Sequence, residues 1–185
     1  MAAKKIRIIK AAAAVSLLVA LSSCGLVSRY RLDLFVSSGD THKKVAVEHT
    51  QFVKDAVLGD PYGESKMVTG EGHVAVVTVG TRWDSQESKR FTLLGFDQYW
   101  RCRIYLQLSA DLGAGRVSLE NTSFLQLMEH YQLQPDQKIF LPVTGFFDVD
   151  SVTSDWLFVT MDGSYRNRDD NAVKFDGAFK VKVSE

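Results

Sequence analysis

Alternation of apolar and polar residues is the feature of this sequence that most limits its possible folds. It is clearest at the end of the chain, where one set of positions holds Val173, Phe175, Gly177, Phe179, Val181 and Val183. The positions opposite hold Lys174, Asp176, Lys180 and Lys182. Successive side chains of a β-strand point to opposite faces, so this pattern predicts an antiparallel strand with one face in the core. Gly177 inside the run predicts a bulge or a kink.

The same period of two recurs along the chain. It is strong at 29–36 and 101–108, and an apolar run on both faces at 70–79 predicts a central strand. Further strands are predicted at 44–50, 90–96, 116–120, 138–143 and 156–161. The segment 45–56 also fits helical spacing, but its alternating valines and the turn before it favour a strand. These segments predict an all-β, mainly antiparallel fold, either a β-sandwich or a small barrel of about 8–10 strands.

The period changes in one segment, about 123–132, which predicts a single short α-helix. Its apolar residues recur at helical intervals: Phe124, Leu127, Met128 and Tyr131. Ser123 and Gln126 have the spacing of a capping box, in which each side chain bonds a free N–H of the first turn. Pro135 follows where the helix should end.

The first 23 residues have the composition of an export signal. Positive charge is concentrated at the start, at Lys4, Lys5, Arg7 and Lys10. The uncharged run Ala11–Leu21 is shorter than the roughly 20 apolar residues that span a bilayer. Ser22 and Ser23 then supply the small residues of a cleavage site. We interpret 1–23 as a signal peptide, with a short uncut anchor helix as the alternative, and 24–185 as a single lipid-anchored β domain.

The anchor is suggested by Leu21-Ser22-Ser23-Cys24, which resembles the lipobox of bacterial lipoproteins. The resemblance implies that Cys24 becomes the mature N-terminus, with diacylglycerol on its thiol and an acyl chain such as palmitate on its amine. Two or more acyl chains anchor a protein stably, whereas one holds it only marginally. By similarity to proteobacterial lipoproteins, Gly25 favours the cell outer membrane, with the domain facing the periplasm. The expected membrane partner is therefore lipid, bound through Cys24.

A second resemblance concerns the first half of the mature chain. The segments that carry it are Tyr30-Arg31-Leu32, Val45-Ala46-Val47-Glu48 and Gly70-Glu71-Gly72-His73-Val74-Ala75-Val76. Their layout is similar to that of an uncharacterised family of exported proteobacterial proteins. The resemblance implies an all-β domain and no particular activity.

Charge and cysteine content narrow the functions further. The chain has 22 basic and 22 acidic residues, and four of the basic ones precede Cys24, so the remainder is mildly acidic. Without a basic stripe, binding of nucleic acid is not expected. With Cys24 acylated, Cys102 has no partner, so no internal disulfide is expected. Cys102 alternates with Ile104 and Leu106, which predicts a core cysteine instead of an accessible nucleophile.

No sequence motif for catalysis or for a cofactor is present, and neither a cofactor nor a metal is predicted. The histidines His42, His49, His73 and His130 raise a metal hypothesis. However, neighbours on a strand such as Glu48 and His49 point to opposite faces, so they cannot chelate one ion together. We favour histidines on the strand surface or in the core.

Two further groups of residues are candidates for a site. Asp148, Asp150 and Asp155 are predicted to form an acidic loop between two strands, where turn hydrogen bonds are favoured over cation binding. Aromatic residues near strand ends are candidates for a partner or ligand surface: Trp83, Tyr99, Trp100, Phe146 and Phe147. For the first three, packing at the edge of the core is favoured. The other two are our first candidates for the rim of an apolar pocket.

These features together predict a membrane-anchored periplasmic lipoprotein that acts as a non-enzymatic binding or envelope-assembly module, with an envelope protein as its partner. The alternative is a lipocalin-like carrier of a small apolar ligand, although the Gly-x-Trp of the first lipocalin strand is missing. A hydrolase that uses the Asp148–Asp155 loop is a third and weaker hypothesis. An enclosed cavity of roughly several hundred Å³ would favour the carrier, and a filled core would favour the binding module.

Overall fold

Strands dominate this chain, which we describe from a computed structural model for residues 32–80, 92–93, 96–97, 101–128 and 133–183. The chain divides into two compact units, Met1–Arg31 and Leu32–Glu185, and all described residues belong to the second unit. The predicted signal peptide, the lipobox residue Cys24 and the first part of the predicted strand at 29–36 lie outside these residues.

The described residues contain eleven strands and one short 3-10 helix at Asp136–Lys138. The strands are β1 (Leu34–Ser38), β2 (Thr41–Leu58), β3 (Met67–Gly80), β4 (Thr92–Leu93), β5 (Phe96–Asp97), β6 (Arg101–Leu108), β7 (Gly115–Ser118), β8 (Ser123–Leu127), β9 (Ile139–Val152), β10 (Trp156–Arg166) and β11 (Ala172–Lys182).

Eight of these strands close into a ring. The order round the ring is β10, β11, β1, β2, β3, β6, β8 and β9, and β9 pairs with β10 again. All neighbours in the ring are antiparallel. Outside the ring, β7 pairs with β9, and β4 pairs with β5. The all-β, antiparallel prediction is therefore confirmed, and of the two architectures left open the ring corresponds to the small barrel.

Side chains that point into the ring fill its interior. On β3 the inward residues are Ala75, Val77 and Val79, and on β6 they include Ile104 and Leu106; all are buried in one apolar cluster. The closing strand β11 places its predicted apolar face in the same cluster: Val173, Phe175, Phe179 and Val181. Packing at the density of a protein interior leaves few voids, so this core resembles that of a filled barrel.

The glycine in β11 allows a close backbone approach. Gly177 has φ of 129°, and a Cβ atom there would lie 2.1 Å from the carbonyl oxygen of Asp33. The next residue, Ala178, donates its N–H to that same oxygen at 3.0 Å. A side chain at position 177 would therefore force the start of β1 away from β11.

The predicted helix at about 123–132 is wrong in its first half. Ser123–Leu127 is strand β8, which pairs with β6 and β9. Leu125 and Leu127 face the core, while Phe124 stacks on Tyr105 at the outer face, with ring centroids 4.3 Å apart. Because both faces of β8 are covered, apolar residues occur on both, and their spacing only imitates that of a helix. Residues 129–132 lie outside the described part of the chain.

The ambiguous segment at 45–56 lies in strand β2, as predicted. This strand is longer than expected and, with β3, forms a bent hairpin. The bend lies at the register shift between Lys54 and Ala56, where Asp55 has φ of 51° and Gly72 has φ of 142°. Bulges of this kind turn a strand sharply and strengthen its twist. The hairpin beyond the bend, residues 56–69, is called the arm below.

The arm lies against the outer face of the ring. Its residues and those of the ring form a second apolar cluster: Ala56, Leu58 and Met67 with Val74, Val76, Tyr105 and Phe124. The side chain of Gln107 joins the arm to β6, because its Oε1 accepts the N–H of Leu58 at 2.7 Å and its Nε2 donates to the carbonyl of Ala56 at 3.3 Å. Because the arm covers the outer face of β3 and the core covers its inner face, apolar residues occupy both faces.

Candidate functional site

A groove opens beside the start of β1, along the parts of β2 and β11 that extend past it. β1 pairs with β2 only up to Val45 and with β11 only up to Gly177, whereas β2 and β11 both continue further. These two strands approach each other again where the N–H of Lys182 donates to Oγ1 of Thr50 at 3.4 Å. The gap between them is a partly open groove of about 610 Å³.

Seven of the twelve described residues that line the groove are apolar, and the other five are polar or charged. Its lining includes Leu34, Val45 and Phe179, which belong to the core and are almost fully buried. It also includes Leu32 and Val47, which remain 39% and 37% exposed. Small-molecule sites are typically apolar concavities of about 300–1,000 Å³ with a few placed polar groups. The groove matches that description in size, while its lining is more polar.

The rim of the groove carries charged side chains. Lys44 forms an ion pair with Asp33, and Arg101 donates from Nε to Oε2 of Glu48 at 2.7 Å. A Cβ atom on Gly80 would lie 2.7 Å from Oε1 of Glu48. Because position 80 has no side chain, the Glu48 carboxylate can lie over β3 and contact Arg101.

Lys180 is arranged differently from the other cations of the rim. Its Nζ lies 3.9 Å from the centre of the Trp156 ring, a cation–π contact. Within the described residues no carboxylate forms an ion pair with this ammonium group. Each described carboxylate at the rim is already engaged with a cation, so the groove presents one ammonium group that has no anionic partner there.

The aromatic residues predicted as a contact surface do not form the groove. Trp83, Tyr99 and Trp100 lie outside the described residues. Phe147 is 0% exposed and belongs to the core, so its ring cannot contact a partner in this fold. Phe146 faces the opposite side of β9, where the guanidinium group of Arg116 lies 3.8 Å from its ring centre.

The acidic residues predicted as a loop lie mostly on a strand. Asp148 and Asp150 are part of β9, so only Asp155 is in the turn before β10. Asp148 accepts a bidentate hydrogen bond from Arg116, at 2.9 and 3.1 Å, which raises the pKa of the Arg116 guanidinium. Asp150 accepts from Oγ1 of Thr160 at 2.6 Å. The loop prediction is therefore corrected, and the carboxylates do not converge on one point.

The histidines are also separate. His42 stacks on Phe35 with ring centroids 5.1 Å apart, and Nε2 of His73 lies 3.1 Å from the carbonyl oxygen of Ala110. His49 lies at the groove and is exposed. His130 lies outside the described residues. In the described part of the chain, no group of three or more His, Cys, Asp or Glu side chains could hold a metal ion.

Cys102 lies in the core, as predicted. It is a free, buried thiol, and burial raises its pKa far above the ordinary value of 9.0. Nearby, the hydroxyl groups of Ser123 and Tyr165 are 2.9 Å apart inside the ring. Burial raises the pKa of Tyr165 as well, and the hydrogen bond with Ser123 opposes that rise. These neutral groups are sealed in the core, so they offer no accessible nucleophile.

Sequence reasoning did not identify the groove. Its lining comes from β1, β2, β10 and β11, and the gap depends on β1 ending before its neighbours do. The only local sign was the run of charged and apolar residues from Lys44 to Thr50, which was interpreted as an ordinary strand. Among the described residues, no helix is both long enough and apolar enough to cross a membrane.

Comparison with known proteins gives no family for this chain. No protein-family model, no curated protein and no solved structure matches it.

Proposed function

We propose that this protein is a lipid-anchored, non-enzymatic binding module of the bacterial envelope, and that its ligand occupies the groove between β2 and β11. The observation that carries the proposal is the groove itself, a concavity of about 610 Å³ that apolar and charged side chains line together. The dispersed carboxylates of β9 give no support to a hydrolase. The address in the envelope rests on the lipobox resemblance of Leu21-Ser22-Ser23-Cys24.

The length of the connecting chain fits an anchored role. Eight peptide bonds separate Cys24 from Leu32, the first described residue of the domain and part of the groove lining. An extended chain spans at most about 3.5 Å per residue, so this segment could reach about 28 Å at most. An acylated Cys24 would therefore keep the groove within about one bilayer thickness of the membrane surface.

The lipocalin-like carrier is the second candidate. Its ligand would have to enter the ring, and the described interior is filled by core side chains. The groove nevertheless reaches core residues such as Phe179 and Leu34 from outside. A carrier could therefore hold its ligand in the groove instead of inside the ring.

Lipidation is tested by metabolic labelling with an alkyne fatty acid in a bacterium that processes lipoproteins. The wild-type protein should be labelled and recovered with membranes. Cys24→Ala should lose the label and leave the membrane fraction, whereas Cys102→Ala, which removes the other cysteine, should keep both properties. No label on the wild-type protein, or equal labelling of the Cys24→Ala variant, would remove the basis for the anchor.

The binding role is tested with a photo-crosslinking amino acid at His49, which is exposed at the groove. The matched control carries the same residue at Val143, which is 53% exposed on β9 and does not line the groove. A specific adduct, lipid or protein, should form in cells from position 49 and not from position 143. If both positions give the same adducts, or if position 49 gives none, the groove is not the binding site.

A further inference from the structure

We propose that the face formed by Val152, Trp156, Lys180 and Lys182 docks on the headgroups of an anionic phospholipid membrane. This set of four residues is called the basic face below. The inference rests on the proposed function, because it assumes the lipid anchor at Cys24. It adds a second membrane contact, which the folded domain itself supplies.

Strand pairing brings the four side chains of the basic face together. Trp156 is the first residue of β10 and pairs with Lys182 of β11, so both lie on the outer face of the ring. Lys180 occupies the same face of β11 and holds its Nζ 3.9 Å from the centre of the Trp156 ring. Val152 ends β9, and the turn that follows is closed where the N–H of Thr153 donates to the carbonyl of Trp156 at 2.8 Å.

The basic face lies beside the point where the described chain begins. Leu32, the first described residue, lines the same groove as Trp156 and Lys180, so the three side chains are neighbours. Eight peptide bonds separate Leu32 from Cys24, and an extended chain of that length spans about 28 Å at most. An acylated Cys24 would therefore keep this end of the ring close to the headgroups.

The side chains of the basic face suit the boundary between headgroups and hydrocarbon. Tryptophan is enriched at membrane–water interfaces, where its ring lies at the level of the headgroups. Val152 is 40% exposed and Trp156 is half-buried, so both lose contact with water when a headgroup layer covers them. Lysine side chains beside them can keep the aliphatic stem on apolar surface and the ammonium group among phosphates.

The two lysines are available to phosphate groups. Within the described residues, neither Lys180 nor Lys182 forms an ion pair. The nearby carboxylates of Asp33 and Glu48 are each paired with another cation. A phosphate could therefore accept hydrogen bonds from both ammonium groups without displacing an existing ion pair.

The balance of charge near the anchor favours anionic lipid over neutral lipid. The seven residues between Cys24 and Leu32 include Arg29 and Arg31 and no acidic residue. With the two lysines of the basic face they make four cations, against two nearby acidic residues in the sequence, Asp155 and Glu185. Each Lys or Arg near an anionic membrane surface strengthens binding about fivefold, so an excess of two predicts a preference of roughly twenty-fivefold.

The test measures the partition of the mature chain onto vesicles by sedimentation. The chain carries Cys24→Ala, so that no acyl chain is attached and the folded domain alone is measured. One set of vesicles contains only phosphatidylcholine, and the other is a mixture of phosphatidylcholine and phosphatidylglycerol. Partition should be roughly twenty-fivefold stronger onto the anionic mixture, and molar salt should remove the difference because it screens the charges.

Variants then locate the contact. Lys180→Gln and Lys182→Gln should each weaken partition onto anionic vesicles roughly fivefold. Lys138→Gln removes the same charge at the other end of β9 from Val152, so it should stay within a factor of about two of the unchanged chain. Val152→Gln should weaken partition roughly threefold, whereas Val143→Gln, at a position that is 53% exposed elsewhere on β9, should have no effect. Circular dichroism would confirm that each variant is folded.

A second measurement uses the acylated protein in anionic vesicles that contain a lipid with brominated acyl chains. Bromine quenches the fluorescence of a tryptophan that lies near the headgroups. Part of the fluorescence should therefore be quenched in the wild-type protein, and that part should be missing in Trp156→Phe.

Three outcomes would overturn the inference. They are equal partition onto the two kinds of vesicle, equal effects of Lys180→Gln and Lys138→Gln, and undiminished bromine quenching in Trp156→Phe. If the wild-type protein is metabolically labelled on Cys24 but one of these outcomes is found, the basic face is rejected and the anchored module stands. If vesicle binding depends on the two lysines but no label is found, the basic face stands and the anchor is rejected.

Discussion

The hydrogen bond between Ser123 and Tyr165 allows a quantitative test of the ring. It joins β8 and β10, which are not neighbours, and the two oxygens are 2.9 Å apart. Both residues are buried, with Tyr165 at 0% exposure and Ser123 at 4%. No other hydrogen bond of either hydroxyl is found within the described residues, so removing one partner should leave the other unsatisfied.

The expected energies follow from that geometry. Tyr165→Phe and Ser123→Ala each remove one hydroxyl and almost no volume, so each should cost about 1–3 kcal/mol of unfolding free energy through the buried hydroxyl that loses its partner. The double variant leaves no unsatisfied group and should cost less than the sum of the two single variants. The coupling energy should therefore be about 1–2 kcal/mol. At the size of this domain, 1 kcal/mol corresponds to about 2–4 °C in Tm.

The assay is equilibrium unfolding in urea, followed by fluorescence, for the wild-type chain, the two single variants and the double variant. Equal m-values across the four proteins would show that the comparison concerns the same transition. Additive costs, with a coupling energy near zero, would refute the reasoning, because they would mean that the two hydroxyl groups do not meet inside the ring.

Three further predictions concern the arm, the close contact in β11 and the buried thiol. Gln107→Leu should speed amide hydrogen exchange in the arm roughly tenfold without changing the core strands, and Gln134→Leu, an exposed change, should have no effect. Gly177→Ala should cost at least about 3 kcal/mol of unfolding free energy, whereas Gly39→Ala, with no atom within 4 Å of its Cβ, should cost only about 1–2 kcal/mol. Urea titrations would measure both. Because the folded state keeps the Cys102 thiol neutral, stability should fall by about 1.4 kcal/mol per unit above pH 9, the ordinary pKa being 9.0. Cys102→Val should lack the loss of unfolding free energy that the thiol causes between about pH 8 and about pH 10. If the slope of stability against pH is unchanged in this variant, the thiol is not buried.

Local alternation was sufficient to predict the class of fold. The face of a strand that a residue occupies depends only on whether its position is odd or even, so the apolar face of β11 and the inward position of Cys102 could be assigned without knowing any neighbour. The same rule failed at β8. There the arm covers the outer face, Phe124 became as buried as Leu125, and the pattern that distinguishes a strand from a helix was lost.

The site depended on contacts between distant parts of the chain. The groove exists because β1 begins at Leu34 while its neighbours β2 and β11 continue beyond it, and those neighbours are separated by more than a hundred residues. Likewise, the acidic residues Asp148 and Asp150 were predicted to lie in a loop. That prediction failed because strand β9 continues through them and pairs with β7 and β10. The sequence by itself determined which residues alternate, and hence that the chain forms antiparallel strands. Only the tertiary structure decided how the strands close and where the groove lies, because pairing order and strand ends depend on non-local hydrogen bonds that no local pattern records.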